Sequence, residues 1–232
     1  MATSNTDTRK KGGVSAERQQ REKNFERNRE GKIEFRAAVK AATLFRSSLQ
    51  FQLDGASDNK LMTRIGREMR AIIVQDPIND RGFRNVTDGP TQQLRQFEIN
   101  PRSPLVSTLR CKVGASINRT TGEFLISFPA IIPKVVIDYP QEATHFRLIA
   151  AGLDIDFKQY EADEDFKESD LFPLDNNEIP SLQLLANAKP DSKRTLFALA
   201  GIRFYQKILN GSIYPLFNTQ YNALKVIDVN KL

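Results

Sequence analysis

Cysteine and histidine occur once each, as Cys111 and His145, and tryptophan is absent. A lone cysteine closes no intrachain disulfide and builds no cysteine-based zinc cluster. A lone histidine leaves little acid–base machinery near neutral pH, because a general base needs an activated nucleophile and an orienting partner beside it. His145 therefore reads as a hydrogen-bonded strand residue in Ala-Thr-His-Phe-Arg, and Cys111 as a small core residue. Walker A, Gly-x-Gly-x-x-Gly and His-Glu-x-x-His patterns are missing. No apolar run approaches the ~20 residues that span a bilayer. The opening Met-Ala-Thr-Ser-Asn-Thr-Asp lacks the charged-then-apolar pattern of a secretory leader. The expectation is cytoplasmic synthesis, with a released particle or an extracellular assembly left open, no cofactor, no metal and no membrane span.

Charge is present but unevenly placed. The net charge is +6. Residues 1–50 hold 12 Lys/Arg and 6 Asp/Glu, while 51–232 hold 22 of each. The basic character thus belongs to an N-terminal arm: Arg9, Lys10, Lys11, Arg18, Arg21, Arg27 and Arg29. Residues 154–178 show the reverse, with ten acidic side chains and two lysines. Asp154, Asp156, Glu161 and Asp163 open this acidic strip, and Glu164, Asp165, Glu168 and Asp170 continue it. EF-hand spacing is missing from it, so a solvated or partner-facing loop is the first reading. A basic arm and an acidic strip on one chain suggest contact between subunits.

Residues 1–14 carry almost no apolar side chains and include Gly12-Gly13, too little to order themselves. Residues 15–31 combine good helix formers with Ser15 as N-cap, and Phe25 is their only large apolar residue. Residues 33–51 read as a second helix with Phe35, Val39, Ala42, Phe45 and Leu49 on its buried face. Residues 59–75 read as a third, with Leu61, Met62, Ile65, Met69, Ile72 and Ile73 at helical spacing, ended by Asp76-Pro77. After Pro90 the period becomes two. Leu94, Phe97 and Ile99 open a strand region, and Cys111, Val113, Ala115 and Ile117 alternate with polar residues. Phe124, Ile126 and Phe128 follow a loop at 118–122. Phe146, Leu148 and Ala150 make one strand, and Leu153, Ile155 and Phe157 continue after Gly152. Leu196, Ala198, Ala200, Ile202 and Phe204 share one side of a long strand at 194–208. Asn210-Gly211 fits a type I′ turn, after which 213–217 pairs back and 224–229 closes the sheet. The expected fold is α+β: a basic arm at 1–32, a helical region at 33–90, and an antiparallel β-sandwich of immunoglobulin/fibronectin-like architecture at 91–232.

Lys11-Gly12-Gly13-Val14-Ser15, Phe25, Arg27, Arg29-Glu30 and Glu34-Phe35 resemble a signature of a family of uncharacterised bacterial proteins. Phe97-Glu98-Ile99-Asn100, Thr144-His145-Phe146-Arg147 and Tyr214-Pro215-Leu216 extend the resemblance over most of the chain. Members of that family often carry an extra β-hairpin segment before the Lys-Gly-Gly, which this sequence does not show. The resemblance implies a β-rich C-terminal domain and no particular activity.

These features favour a non-enzymatic structural subunit of a filament, lattice or phage-like particle, joined head-to-tail to other copies of itself. The arm, with Phe25, Ile33 and Phe35 as its apolar contacts, would reach a neighbour's acidic strip. Two alternatives compete. One is a nucleic-acid-associated protein using the basic arm, although five glutamates between Glu17 and Glu34 weaken its attraction for a polyanion. The other is a ligand- or carbohydrate-binding sandwich.

Overall fold

The computed structural model describes residues 25–50, 56–217 and 220–232. Its fold is α+β, with helices first and an antiparallel β-rich region after them. Helix α1 spans Glu26–Ser47 and α2 spans Leu61–Val74. A 3-10 turn at Thr91–Leu94 follows, and α3 (Leu105–Thr108) and α4 (Pro133–Val136) are single turns.

Two strands form the centre. β3 (His145–Asp156) and β7 (Thr195–Lys207) pair antiparallel from His145↔Tyr205 to Ile155↔Thr195. Each outer edge of this pair is shared by two shorter strands. β4 (Glu161–Glu168) and β5 (Phe172–Pro173) line β3, while β8 (Ile213–Pro215) and β9 (Ala223–Asn230) line β7. A second, three-stranded sheet comprises β1 (Gly114–Asn118), β2 (Glu123–Phe128) and β6 (Leu182–Asn187), in the order β1-β2-β6.

Side-chain parity then divides the core. Ile149, Ala151, Leu153 and Ile155 of β3, with Phe197 and Leu199 of β7, pack against Phe45, Ile65, Met69 and Ile72 of the helices. Phe146, Leu148 and Ala150, with Leu196, Ala198 and Ala200, pack instead against Phe124, Ile126, Phe128 and Ala186 of the small sheet. The central sheet is therefore covered on both faces, and helices and strands share one core across residue 90. A two-layer sandwich would leave that outer face wet. Phe197 meets Phe45 edge-on at 5.2 Å between ring centroids, and Phe157 at 6.2 Å.

Several sequence expectations are corrected by this packing. Helix α1 runs unbroken through Gly31, so residues 26–47 are one element rather than an arm end and a new helix. Its buried face is Glu34, Ala38, Ala41, Ala42 and Phe45, whereas Phe35 and Val39 are 58% and 40% exposed. Small side chains at the contact bring the helix close to its neighbours, and the larger residues fall beside the contact. Glu34 is tolerated inside because Arg84 lies 3.1 Å away and the Gly82 N–H donates to it at 3.0 Å. Residues 145–156 form one strand, not two. Gly152 is no break: a Cβ there would come within 2.4 Å of the Phe124 ring, so close packing requires its absence. Leu94 belongs to the 3-10 turn, and around Phe97 and Ile99 only a single bridge, Glu98↔Lys225, forms. Gln96 interrupts an extended backbone there at φ 72°. Cys111 and Val113 precede the first strand, which starts at Gly114.

Asn210-Gly211 is not a type I′ turn. The Gly211 N–H donates to Ile208 O and the Ile208 N–H to Ser212 O, both at 2.9 Å. Gly211 alone takes positive φ, at +87°. This is a three-residue loop whose last residue is left-handed, the bulged relative of the expected turn. The loop at 118–122 does form, with Asn118 Oδ1 accepting from the Thr120 and Thr121 N–H groups and Gly122 at φ +80°.

Candidate functional site

The outer flank of α1 carries the most distinctive chemistry. At 3.6 residues per turn, Asn28, Lys32, Phe35 and Arg36 fall on one stripe. With Phe25, Arg27 and Gly31 they form one wall of a cleft of about 730 Å³. Arg70 of α2 and Arg81 of the following loop complete it. Two of these cations are held in place by backbone carbonyls. Arg70 donates to Gly31 O at 3.2 Å, and Arg81 donates to Arg27 O at 3.4 Å. Glu30 also pairs with Arg81 at 3.4 Å. The described lining thus contains five cations and two phenylalanine rings, and no carboxylate. Guanidinium forks of this kind bind phosphate or carboxylate oxygens in pairs.

The expected subunit-contact residues separate into three groups. Arg9, Lys10, Lys11, Arg18 and Arg21 lie outside the described residues, as does the Ser15 cap. Phe25, Arg27 and Phe35 meet in the cleft. Ile33, 53% exposed, sits two residues from Phe35 and therefore about 200° around the helix from it. Arg29 is half-buried. Arg36, Lys32, Arg70 and Arg81 were not singled out as site residues by sequence reasoning. Their i, i+4 spacing on α1 is visible in the chain, but the contribution of α2 and of the 81 loop is a tertiary fact.

The acidic strip is mostly engaged within the chain. Asp154 is buried and accepts from Ser192 Oγ at 2.8 Å. Burial pushes its carboxyl above the usual range, against the pull of Ser192 and Arg194. Asp156 caps a turn, accepting from the backbone N–H groups of Lys158 and Gln159. Arg194 bridges Glu161 at 2.6 Å and Asp163 at 2.7 Å. Asp165 accepts from the Asn187 N–H and from Lys167, both at 2.9 Å. Glu168 lies between Arg203 at 3.3 Å and Arg147 at 3.6 Å. Glu164 and Asp170 are exposed. A docking partner would have to compete with Arg194 for the two acids that open β4.

A second uncovered region is the hairpin linking β7 to β8. Residues 208–217 contain no charged side chain, yet Leu209 is fully exposed, Phe217 is 66% exposed and Tyr214 is 53% exposed. The signal for it is a long uncharged run with apolar residues at a turn tip.

The two nucleophile or base candidates are placed simply. His145 Nδ1 lies 2.9 Å from Thr144 Oγ1, and burial together with Lys207 lowers its pKa. Burial pushes the Cys111 thiol up, away from the reactive thiolate. Among the described residues, no group of three His, Cys, Asp or Glu side chains is arranged to hold a metal, and no helix is long and apolar enough to cross a membrane. The chain matches no family model, no curated protein and no solved structure.

Proposed function

We propose that the chain is a non-enzymatic structural subunit that assembles head-to-tail with copies of itself through its N-terminal arm, residues 1–32, within a filament, lattice or phage-like particle. The observation that carries this reading is the hairpin at 208–217, an uncharged segment on which Leu209, Tyr214 and Phe217 are all exposed. Exposed apolar residues gathered on one element mark an interaction surface. A catalytic or small-ligand site instead gathers apolar and titratable groups in one concavity.

The edge chemistry agrees. In β8, alternation of ladder bonds points Ile213 and Pro215 away from β7, because Leu216 N–H and Ile208 N–H bond across the hairpin. Proline at an outward position removes a donor and guards the edge against strand-to-strand pairing. Contact through this hairpin would therefore use side chains, in keeping with specific assembly rather than open-ended aggregation. The two antiparallel sheets share an apolar layer, and the helices cover the outer face of the larger one.

The experiment compares the full chain with one lacking residues 1–24, which leaves α1 whole. Sedimentation should find the full chain larger than a monomer and the shortened chain shifted towards monomer. Equal masses for the two would remove residues 1–24 from the contact and leave Phe25, Ile33 and Phe35 to carry it, and a monomeric full chain at tens of micromolar would end the assembly reading.

A further inference from the structure

We infer that the cleft between α1, α2 and Arg81 binds a segment of single-stranded nucleic acid, with the cations on its phosphates and the two phenylalanine rings against its bases. It assigns Phe25, Arg27 and Phe35 to a nucleic-acid contact instead of the subunit contact expected of the arm.

The chemistry rests on three observations. First, the described lining brings Arg27, Lys32, Arg36, Arg70 and Arg81 around one cleft without a carboxylate among them. Of the glutamates on α1, Glu34 is turned into the core against Arg84, and Glu30 pairs with Arg81 beside the cleft. Among the described residues, helical geometry thus gathers Arg27, Lys32 and Arg36 along the cleft. Second, Phe25 and Phe35, the only aromatic residues before Phe45, both line this cleft, and Phe35 is 58% exposed. A groove that follows the backbone with cations and offers rings for stacking is the general solution for binding unpaired strands. An acidic protein segment would use the cations but has no need of the rings. Third, a cleft of about 730 Å³ admits a group the size of a small organic ligand. A duplex, whose bases are already stacked on one another, gains nothing from the rings.

The cations are also pre-positioned. Arg70 is tied to Gly31 O and Arg81 to Arg27 O, so part of the ordering cost is met before a ligand arrives.

The test uses the full chain and fluorescently labelled oligonucleotides of about ten nucleotides, single-stranded DNA and RNA, measured by anisotropy across a salt series. Phosphate contacts from the exposed Arg27 and Arg36 alone predict a log–log salt slope near −1.4, from about −0.7 per contact on single strands, and each further cation recruited steepens it by the same amount. Arg36→Glu and Arg27→Glu, both at exposed positions, should each weaken binding about tenfold, as the loss of one charge-assisted phosphate contact does. Phe35→Leu should weaken it by a similar factor of about ten, because leucine keeps the apolar surface and loses the stacking plane, whereas Phe35→Trp should retain it. Lys189→Glu, in the loop between β6 and β7 that packs against the β1–β2 loop and does not line the cleft, should leave affinity within about twofold. Melting temperatures confirm that each variant is folded. The inference is overturned by any of four results: no binding at low salt, equal affinity for a duplex or for heparin, insensitivity to both Arg36→Glu and Phe35→Leu, or tighter binding of a peptide copied from residues 161–170. It is also overturned if Phe35→Leu lowers the assembly mass of the free protein, which would place the ring in a subunit contact.

Discussion

Strand β7 is two structures in one. Residues 195–202 are buried on both faces, whereas from Tyr205 onward the strand and its return through β8 reach into solvent. The side chains hardly change in kind. Leu199 is completely buried and Leu209 completely exposed. What differs is the cover. The first half has α1 and α2 on one face and β1-β2-β6 on the other, and of the hairpin only Leu216 packs against the core between the sheets. Burial here is a property of the neighbours rather than of the residue, and the uncovered half is the part left for an external partner.

The comparison is broken most severely at Phe197, where the helix layer and the sheet meet. Phe197→Ala should cost about 4 kcal/mol, the usual range for a buried aromatic truncated to alanine. Both Phe45 and Phe157 would lose their edge contact. The fall in the urea midpoint measures it, and a loss below ~1 kcal/mol would show that the helices do not depend on this sheet face.

On the opposite face, Gly152→Ala should cost about 2–3 kcal/mol by overpacking against Phe124. Pairing it with Phe124→Leu should recover part of that loss, and an additive double mutant would rule out the clash.

A polar anchor between the regions comes next. Asp76 receives hydrogen bonds from the Ile78, Asn79 and Asn85 backbone N–H groups and from the Asn79 side chain. Burial pushes its carboxyl up, but those bonds outweigh burial and hold it below the usual range. A lowered folded-state pKa contributes stability that is present above the unfolded value and is lost as pH falls through the folded one. Asp76→Asn should therefore cost about 1–2 kcal/mol at neutral pH. Its stability curve should converge with that of the parent in strong acid. Parallel curves down to pH 2 would show that Asp76 does not titrate with folding.

The hairpin should respond least. Gly211→Val should cost about 1 kcal/mol, since its φ of +87° is unfavourable for a β-branched residue while the space around it is open. Leu209→Ser should stay within about 0.5 kcal/mol of the parent. Thermal melts distinguish the two, and a large loss for Leu209→Ser would mean that the tip is covered within the monomer.

What could be read from the chain was what short-range alternation records. Phe124, Ile126 and Phe128 are buried with half-buried Leu125 and Ser127 between them, and Leu196 to Phe204 keep the predicted parity. The predicted helix at 59–75 appears as α2, with five of its six apolar residues buried. What could not be read was set by distant partners. The face of α1 follows small residues because close packing onto α2 and the sheet rewards them, and Glu34 is admissible only because residues 82 and 84 return to meet it. The acidic run looks like an open docking strip until Arg194, Arg203 and Arg147 arrive from other strands. Gly152 looks like a break until Phe124 is placed over it. The cleft was half legible, since α1 shows its own cations and rings but not Arg70 or Arg81.

One consequence of the helix layer concerns synthesis. Leu224, Val226 and Val229 of β9 belong to the same core as α1 and α2. Ribosomes deliver the intervening length only after on the order of ten seconds, at roughly 5–20 residues per second. Until β3 and β7 are made both helices exist without the strands that cover them, and no partial chain ending before β9 has a complete core. The polypeptide therefore emerges with its most adhesive helical surface made first and its final covering strand made late, so chaperone demand should be greatest before β9 has left the exit tunnel.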